Sequence, residues 1–171
     1  MRFQLLDIVP YRADPITGHQ VSPAERFAET LQQAIRAEEL GLDAVAIGER
    51  HAGHFISSSP TVLLGAIAAR TRSIRLNSGV TVLSVLDPVR VAEDYATIDQ
   101  LSGGRLDITI GKGNEVAQFP LFGLDIDDQW ELLAEKYELL RTLWREEDVT
   151  WPGTEFTRAL TGVTTLPRPF A

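Results

Sequence analysis

The sequence contains no cysteine among its 171 residues. Disulfide bonds, thiolate metal ligands and a cysteine nucleophile are therefore excluded. No apolar run is long enough to span a bilayer, and the amino-terminal stretch MRFQLLDIVPY is broken too early by Asp7 and Pro10 to act as a signal peptide. From these absences we expect a cytoplasmic protein without a membrane segment.

Positive charge is also scarce. Sixteen Lys and Arg stand against twenty-four Asp and Glu, which gives a net charge of -8. Because polyanions bind through clustered cations, this balance argues against nucleic acid as a partner. With 171 residues, 44% of them hydrophobic, the chain is about the size of one globular domain. We expect a single domain over residues 1–171 and a small-molecule partner.

Short β-type runs alternate with longer helical patterns. Four strand and helix pairs are expected over residues 1–147, with strands in RFQLLDIV, DAVAIG, IRLNSGVTVLSV and RLDITIGKGN. Capping signals mark the helix starts, such as Ser22 with Glu25, and Asp87 before a proline. Residues 148–171 predict a hairpin-like excursion. In the fourth helix the stripe expected to face the core is Trp130, Leu133, Tyr137, Leu140 and Trp144.

Strands that are apolar along most of their length and alternate with helices are typical of an α/β fold with a parallel sheet. Two architectures fit this order, a doubly wound open sheet and part of a (β/α)₈ barrel. In both, ligands bind at the carboxyl ends of the strands. The loops after Val9, Ile47, Val82 and Ile110 are therefore the places to look for chemistry.

The loop GERHAGHF, residues 48–55, contains one carboxylate, one guanidinium and two imidazoles. His51 and His54 beside Glu49 raise the possibility of a metal site, but their spacing differs from H-E-x-x-H and a loop offers no helical face to align two imidazoles. No metal is expected. For His51 an acid–base role and a simple polar contact both remain open.

Two glycine-containing stretches are ambiguous in the same way. In IGKGNE, Gly111 to Asn114 form either a phosphate-binding loop or a tight turn with a solvated lysine, and the stretch matches neither a P-loop nor a Rossmann fingerprint. In NSGVTVLS, Gly79 marks either a bulge or a close approach to the backbone. The charges of Arg90, Glu93 and Asp94 predict a salt-bridged helix face.

Taken in order, three segments resemble the bacterial luciferase-like flavin monooxygenases, a group that includes deazaflavin-dependent oxidoreductases. They are GERHAGHFISSSPTVLLGAIAARTRSIRL, SGVTVLSVLDPVRVAEDYATIDQLSGGRLDITIGKGN and FPLFGLD. The resemblance covers nearly the whole chain. It implies a (β/α)₈ TIM-barrel fold with reduced FMN at the strand ends, where dioxygen is activated to oxidise a small organic substrate. A deazaflavin cofactor is the alternative.

The resemblance also implies roles for single residues. Lys112 occupies the position of an arginine that contacts the flavin phosphate, supported by Gly113 and Asn114. Gly79 and Val80 occupy the position of a non-prolyl cis peptide against the flavin ring.

The loop of residues 48–55 and the first strand contribute the other residues of the implied site. Glu49 and His51 line the flavin pocket, Arg50 contacts substrate or flavin, His54 is structural, and Asp7 joins them from the end of the first strand. Arg50 replaces the first histidine of the family's Glu-His-His run and Gly111 replaces a reactive cysteine, so light emission is not expected.

The family continues beyond TLPRPFA into a fifth strand. The resemblance therefore implies a (β/α)₄ half-barrel, either a fragment or a half that is completed by a second copy or by another half-barrel chain. A flavin reductase is implied as the source of reduced flavin. A half-barrel that pairs without catalysing a reaction is the alternative function.

Overall fold

The computed structural model describes residues 1–170. Its elements follow the expected order of four strand and helix pairs and a terminal hairpin. In chain order they are β1 (Gln4–Asp7), α1 (Pro23–Glu39), β2 (Ala44–Ile47), α2 (Pro60–Ala68), β3 (Arg75–Val82), α3 (Pro88–Ser102), β4 (Leu106–Gly111), a 3₁₀ helix (Val116–Phe122), α4 (Gln129–Arg145), β5 (Val149–Trp151) and β6 (Leu160–Val163).

The four-stranded sheet has the order β1-β2-β3-β4. The β1–β2 and β2–β3 pairs are parallel, with Gln4 opposite Ala44 and Ala44 opposite Arg75. A doubly wound sheet reverses its strand order at a switch point, whereas a barrel adds strands in sequence. The sequential order therefore selects the barrel architecture, and the chain forms the β1 to α4 half of it.

The chain divides into two compact units. Unit 1 comprises Met1–Thr81 with Arg105–Thr109, and it holds the sheet with helices α1 and α2. Unit 2 comprises Val82–Gly104 and the chain from Ile110 onwards, and it holds α3, the 3₁₀ helix, α4 and the hairpin.

Helix α1 of unit 1 begins as its sequence predicts. The Ser22 side chain accepts a hydrogen bond from the Glu25 backbone, and the Glu25 side chain accepts one from the Ser22 backbone, so the capping box is complete. The buried residues of the helix are Thr30, Ala34 and Ala37. Small side chains on this face let the helix lie close to the sheet.

Helix α4 of unit 2 corrects the expected core stripe. Trp130 and Tyr137 are 63% and 42% exposed. Of the expected stripe, Leu140 is fully buried, and the Trp144 indole N–H donates to Ala92 O of α3 at 3.1 Å. The other buried residues of the helix are Leu132, Lys136, Leu139 and Leu143. Two stripes satisfy the helical period, and packing of α4 against α3 selects between them.

The hairpin of β5 and β6 is antiparallel, as expected for the tail, with Val149 opposite Val163. Its connecting loop is fastened to α4, since Glu135 accepts hydrogen bonds from the hydroxyls of Thr154 and Thr157. Within residues 1–170 no helix is long and apolar enough to cross a membrane.

Candidate active site

The loop that follows β2 brings an acid and an imidazole into direct contact. His51 Nε2 lies 2.6 Å from Glu49 Oε1. The side chains are 9% and 0% exposed, respectively. A buried carboxylate at this distance orients the imidazole ring. The pair therefore places a positioned imidazole in the loop that follows β2.

Arg50 and His54, the other two candidate residues of this loop, have different surroundings. The Arg50 guanidinium lies over the Phe55 ring at 5.2 Å, and the Arg50 backbone N–H donates to Ser57 O. His54 is exposed, and its carbonyl accepts a hydrogen bond from Tyr11 N at 2.7 Å. Among the described residues no group of three or more His, Cys, Asp or Glu is arranged to hold a metal ion.

The loop is anchored to the turn that follows β1. Ser57 Oγ donates to Ile8 O at 2.9 Å, and Ile56 N donates to Val9 O at 3.1 Å. Val9 is fully buried and has a φ of 46°. A β-branched residue in the left-handed region stores about 1–3 kcal/mol of strain, which persists only where neighbouring contacts hold it.

Asp7, at the end of β1, is one of those neighbours. Its carboxylate accepts two hydrogen bonds from Arg26 Nη2, at 2.9 and 2.8 Å, and one each from Thr30 Oγ1 and Val9 N. The side chain therefore faces α1 and fixes the Val9 turn. This position gives Asp7 a supporting role, and direct contact with a cofactor stays a prediction.

Gly79 and Val80 lie near the end of β3, and the peptide bond between them is cis, as the resemblance implied. The glycine is required by close approach: an added Cβ would lie 3.1 Å from Leu6 Cδ1 and 3.2 Å from Ala46 Cβ. Gly48 is tighter still, since its Cβ would lie 2.7 Å from Ile8 Cγ2 and 2.9 Å from Gly79 O. The side chains of Leu6, Ile8 and Ala46 therefore pack against the two glycines at the ends of β1, β2 and β3.

In unit 2, Lys112 follows β4 and is held at the start of α4. Its Nζ donates to Gln129 Oε1 at 2.6 Å and to Gly113 O at 3.1 Å, and it lies 5.2 Å from the centre of the Trp130 ring. The Ser84 hydroxyl donates to Lys112 O at 2.5 Å. An ammonium fixed in this way remains able to donate to an anion.

Gly113 has a φ of 75°. A Cβ at this position would overlap Nε2 of Gln118, a buried residue of the 3₁₀ helix. Within residues 1–170 the Gln118 Nε2 donor has no hydrogen-bond partner. Asn114 is exposed beside this turn. The sequence did not identify Ser84, Gln118 or Gln129 as parts of this loop, because none of them belongs to the stretch IGKGNE.

The sequential strand order is that of the (β/α)₈-barrel class, in which ligand sites lie at the carboxyl ends of the strands. Residues 1–170 match the model of the luciferase-like monooxygenase family, and the chain belongs to that family. Its named relatives are monooxygenases and deazaflavin-dependent dehydrogenases, so the family is one of oxidoreductases.

Three similar proteins illustrate that range. The crystal structure of monooxygenase RslO1 from Streptomyces bottropensis is 33% identical, with a TM-score of 0.88 over 100% of this chain and 50% of that one. The F420-dependent glucose-6-phosphate dehydrogenase of Nakamurella multipartita is 34% identical over 81% of this chain and 44% of its own. The oxygenase component of flavin-dependent trigonelline monooxygenase from Acinetobacter baylyi is 28% identical over 85% and 40%.

The chain thus spans less than half the length of the curated relatives it matches, 42% and 39% for two proteins of Sinorhizobium fredii.

Proposed function

We propose that the chain supplies the β1 to α4 half of an FMN-dependent monooxygenase that oxidises a small organic substrate. The observation that carries the proposal is the buried Glu49–His51 pair at 2.6 Å, placed after β2 in a family of oxidoreductases. Acid–base chemistry beside a redox cofactor is what such a pair provides.

Unit 1 fits the ring of a flavin. A planar ring needs an apolar surface, and the strand ends around Gly48 and Gly79 carry the apolar side chains of Leu6, Ile8 and Ala46. Leu6, 54% exposed, is the apolar side chain available there. The Glu49–His51 pair supplies a proton-carrying group in the same unit.

Unit 2 fits a phosphate group. Lys112 is half-buried and held by Gln129, while the left-handed turn at Gly113 keeps the loop narrow. Lysine contributes a point charge rather than the bidentate fork of arginine. Phosphate recognition at this loop therefore depends on charge and on the exposed amides of residues 113–114.

The residues of this chain have distinct tasks in the proposed reaction. When bound, reduced flavin supplies the electrons that activate dioxygen. Glu49 orients the His51 ring by accepting a hydrogen bond from Nε2, and His51 accepts and holds a proton at Nδ1. Arg50, stacked on Phe55, faces anionic groups of substrate or cofactor. Asp7 keeps the Val9 turn, and through it the His51 loop, in place.

A deazaflavin-dependent hydride transfer is the second candidate. It is favoured by the 34% identity to a relative named for that cofactor. The Glu49–His51 pair serves either reaction, because both need one proton to be moved. Direct competition between FMN and the deazaflavin for the purified chain separates the two candidates.

Two partners belong to the proposal. The trigonelline relative is named an oxygenase component, which supports a separate reductase as the source of reduced flavin. Completion of the barrel is the other requirement, since the chain spans half of a homologous barrel structure, and the second half belongs to a longer form of this chain, to another copy or to a different half-barrel chain. A half-barrel that pairs without binding a cofactor is the competing outcome.

Titration of FMN and of riboflavin into the chain tests the proposal. We expect Lys112→Met to weaken FMN binding 10- to 100-fold and to leave riboflavin unchanged, because riboflavin lacks the phosphate. Arg141→Met is the matched control, as Arg141 is also a cation over an aromatic ring, that of Tyr137. Failure of both FMN and deazaflavin to bind would overturn the proposal, and equal losses for FMN and riboflavin would remove Lys112 from the phosphate site.

A further inference from the structure

Unit 2 contains a cavity of ≈ 1190 Å³ that is separate from the residues assigned to the flavin. It is open to solvent and is lined by the start of α3, residues of α4, the end of the 3₁₀ helix and the hairpin loop. Neither the Lys112 loop nor any residue of the Glu49–His51 loop lines it. The cavity therefore needs an explanation of its own.

The most unusual group in the cavity wall is Lys136. Its side chain lies on the buried face of α4, and the residue is only 5% exposed. Its Nζ donates to Ser84 O at 2.6 Å, one hydrogen bond for a group with three donors. A buried ammonium with unused donors is costly unless an acceptor reaches it.

The carboxylates near Lys136 are already engaged by other groups. Asp87 accepts hydrogen bonds from Val89 N and Arg90 N as the cap of α3. Glu93 pairs with Arg90 on the surface of the same helix. Asp87 and Glu135 favour the charged form of Lys136 without accepting a hydrogen bond from it, and Glu135 is itself engaged by Thr154 and Thr157.

The rest of the lining suits an organic molecule. Val85, Leu139, Phe122, Leu124 and Phe156 supply apolar contact surface. Arg158, on the hairpin loop, adds a second cation and has no ion-pair partner within residues 1–170. Apolar walls with a few polar groups are the usual composition of a small-molecule site.

We propose that this cavity is a second ligand site for a small organic carboxylate, whose anionic end is bound by Lys136 and whose apolar body lies against Phe156 and Leu139. Arg158 attracts the ligand to the site from its exposed position on the loop. Binding also bridges α4 and the hairpin loop, which Glu135 fastens together from one side.

The protonation of Lys136 agrees with this geometry. Burial lowers the pKa of the ammonium, while Asp87 and Glu135 oppose that effect. A bound carboxylate would favour the charged form further. Ligand affinity should therefore decrease as the pH rises toward the pKa of Lys136 and the ammonium loses its proton.

Hexanoate is the probe, with hexanamide as its neutral counterpart of similar shape. Calorimetric titration of the 171-residue chain should show hexanoate binding at least tenfold more tightly than hexanamide. Lys136→Met, which keeps the length of the side chain, should weaken hexanoate at least tenfold and leave FMN affinity unchanged. Lys112→Met should weaken FMN binding and leave hexanoate affinity unchanged. The two variants therefore distinguish a failure of this site from a failure of the flavin proposal.

Amide chemical-shift mapping on the unmutated chain provides a test that does not depend on the folding of the Lys136 variant. Shifts at residues 85–90 and 152–160 on addition of hexanoate support the site, and Phe156→Ala should weaken the binding. Equal affinity for hexanoate and hexanamide, an unchanged affinity in a folded Lys136→Met protein, or shifts confined to residues 111–114 would each overturn it.

Discussion

Glu38 joins the end of α1 to the loop that leads into β3. Its carboxylate accepts hydrogen bonds from the backbone N–H groups of Arg72, Ser73 and Ile74, at 2.6 to 2.9 Å, and from the Ser73 hydroxyl at 3.0 Å. Burial alone would raise the pKa of Glu38, but the donors of Ser73, Ile74 and Arg72 outweigh it and lower the pKa to about 2.

Glu38→Gln should therefore destabilise unit 1 by about 1–3 kcal/mol at neutral pH, the usual contribution of hydrogen bonds to a charged group. Because the folded-state pKa lies below the ordinary value of 4.5, the stabilisation is complete above pH 4.5 and is lost as the pH falls toward about 2. Urea unfolding of both proteins across this range measures the difference.

The neighbouring Glu39 is the matched control. It pairs with Arg36 on the surface of the same helix, with side chains 56% and 66% exposed. Such a pair contributes little to stability, so Glu39→Gln should change unfolding by less than about 1 kcal/mol and add no pH dependence in this window. Similar losses for both variants would mean that the effect arises from net charge and not from the Glu38 contacts.

Between β4 and α4, the Lys112 loop depends on a glycine in contact with a buried side chain. A Cβ at Gly113 would lie 2.1 Å from Gln118 Nε2 and 2.7 Å from Val82 Cγ1. Gly123, which ends the 3₁₀ helix, has a similar φ of 69° but no atom within 4 Å of its Cβ position. The two glycines separate backbone strain from steric overlap.

Gly123→Ala should lower the free energy of unfolding by about 1–2 kcal/mol, because alanine is disfavoured in the left-handed backbone conformation. Gly113→Ala should lower the free energy of unfolding by about 1–3 kcal/mol more than Gly123→Ala does, because its Cβ overpacks against Gln118 and Val82. It should also weaken FMN binding, because the Lys112 loop is displaced. Thermal unfolding and flavin titration of both variants measure these effects. An equal decrease in the free energy of unfolding for both variants would show that the Gln118 side chain moves away without an energetic penalty. The double variant Gly113→Ala with Gln118→Ala should regain part of the stability that Gly113→Ala loses.

Helix and strand positions could be predicted from the sequence because their signals are local. Ser22, Asp87 and Gly103 mark helix ends through contacts within four residues. The buried face of α4 could not, because an aromatic and a leucine stripe both fit the helical period and only packing against α3 selects one. The expected salt-bridged face of α3 is confirmed, since Arg90 contacts Glu93 and Asp94 within the helix.

The candidate site was predictable in part for the same reason. The Glu49–His51 contact joins residues two positions apart, and the family resemblance located the cis peptide at Gly79. The supports of the Lys112 loop come from Gln129 and Ser84, which are 17 and 28 positions away. Contacts at such separations are set by the fold and leave no pattern in a single sequence.

Across the whole molecule, the sheet of unit 1 ends in β1, which pairs with β2 on one side only within the described residues. Phe3, immediately before β1, is 60% exposed. An unpaired edge beside apolar surface favours pairing with another chain, and a lysine at such an edge opposes it. If a second half-barrel completes the sheet, this edge is one place where it joins.

Phe3→Lys should therefore weaken self-association of the purified chain at least tenfold, as measured by light scattering over a range of protein concentrations. Val62→Lys is the control, because Val62 is 70% exposed on α2, away from the sheet edge, and the substitution adds the same charge. An equal effect of both substitutions would show that general charge repulsion, and not the β1 edge, controls association. A chain that stays monomeric at every concentration would exclude completion by a second copy.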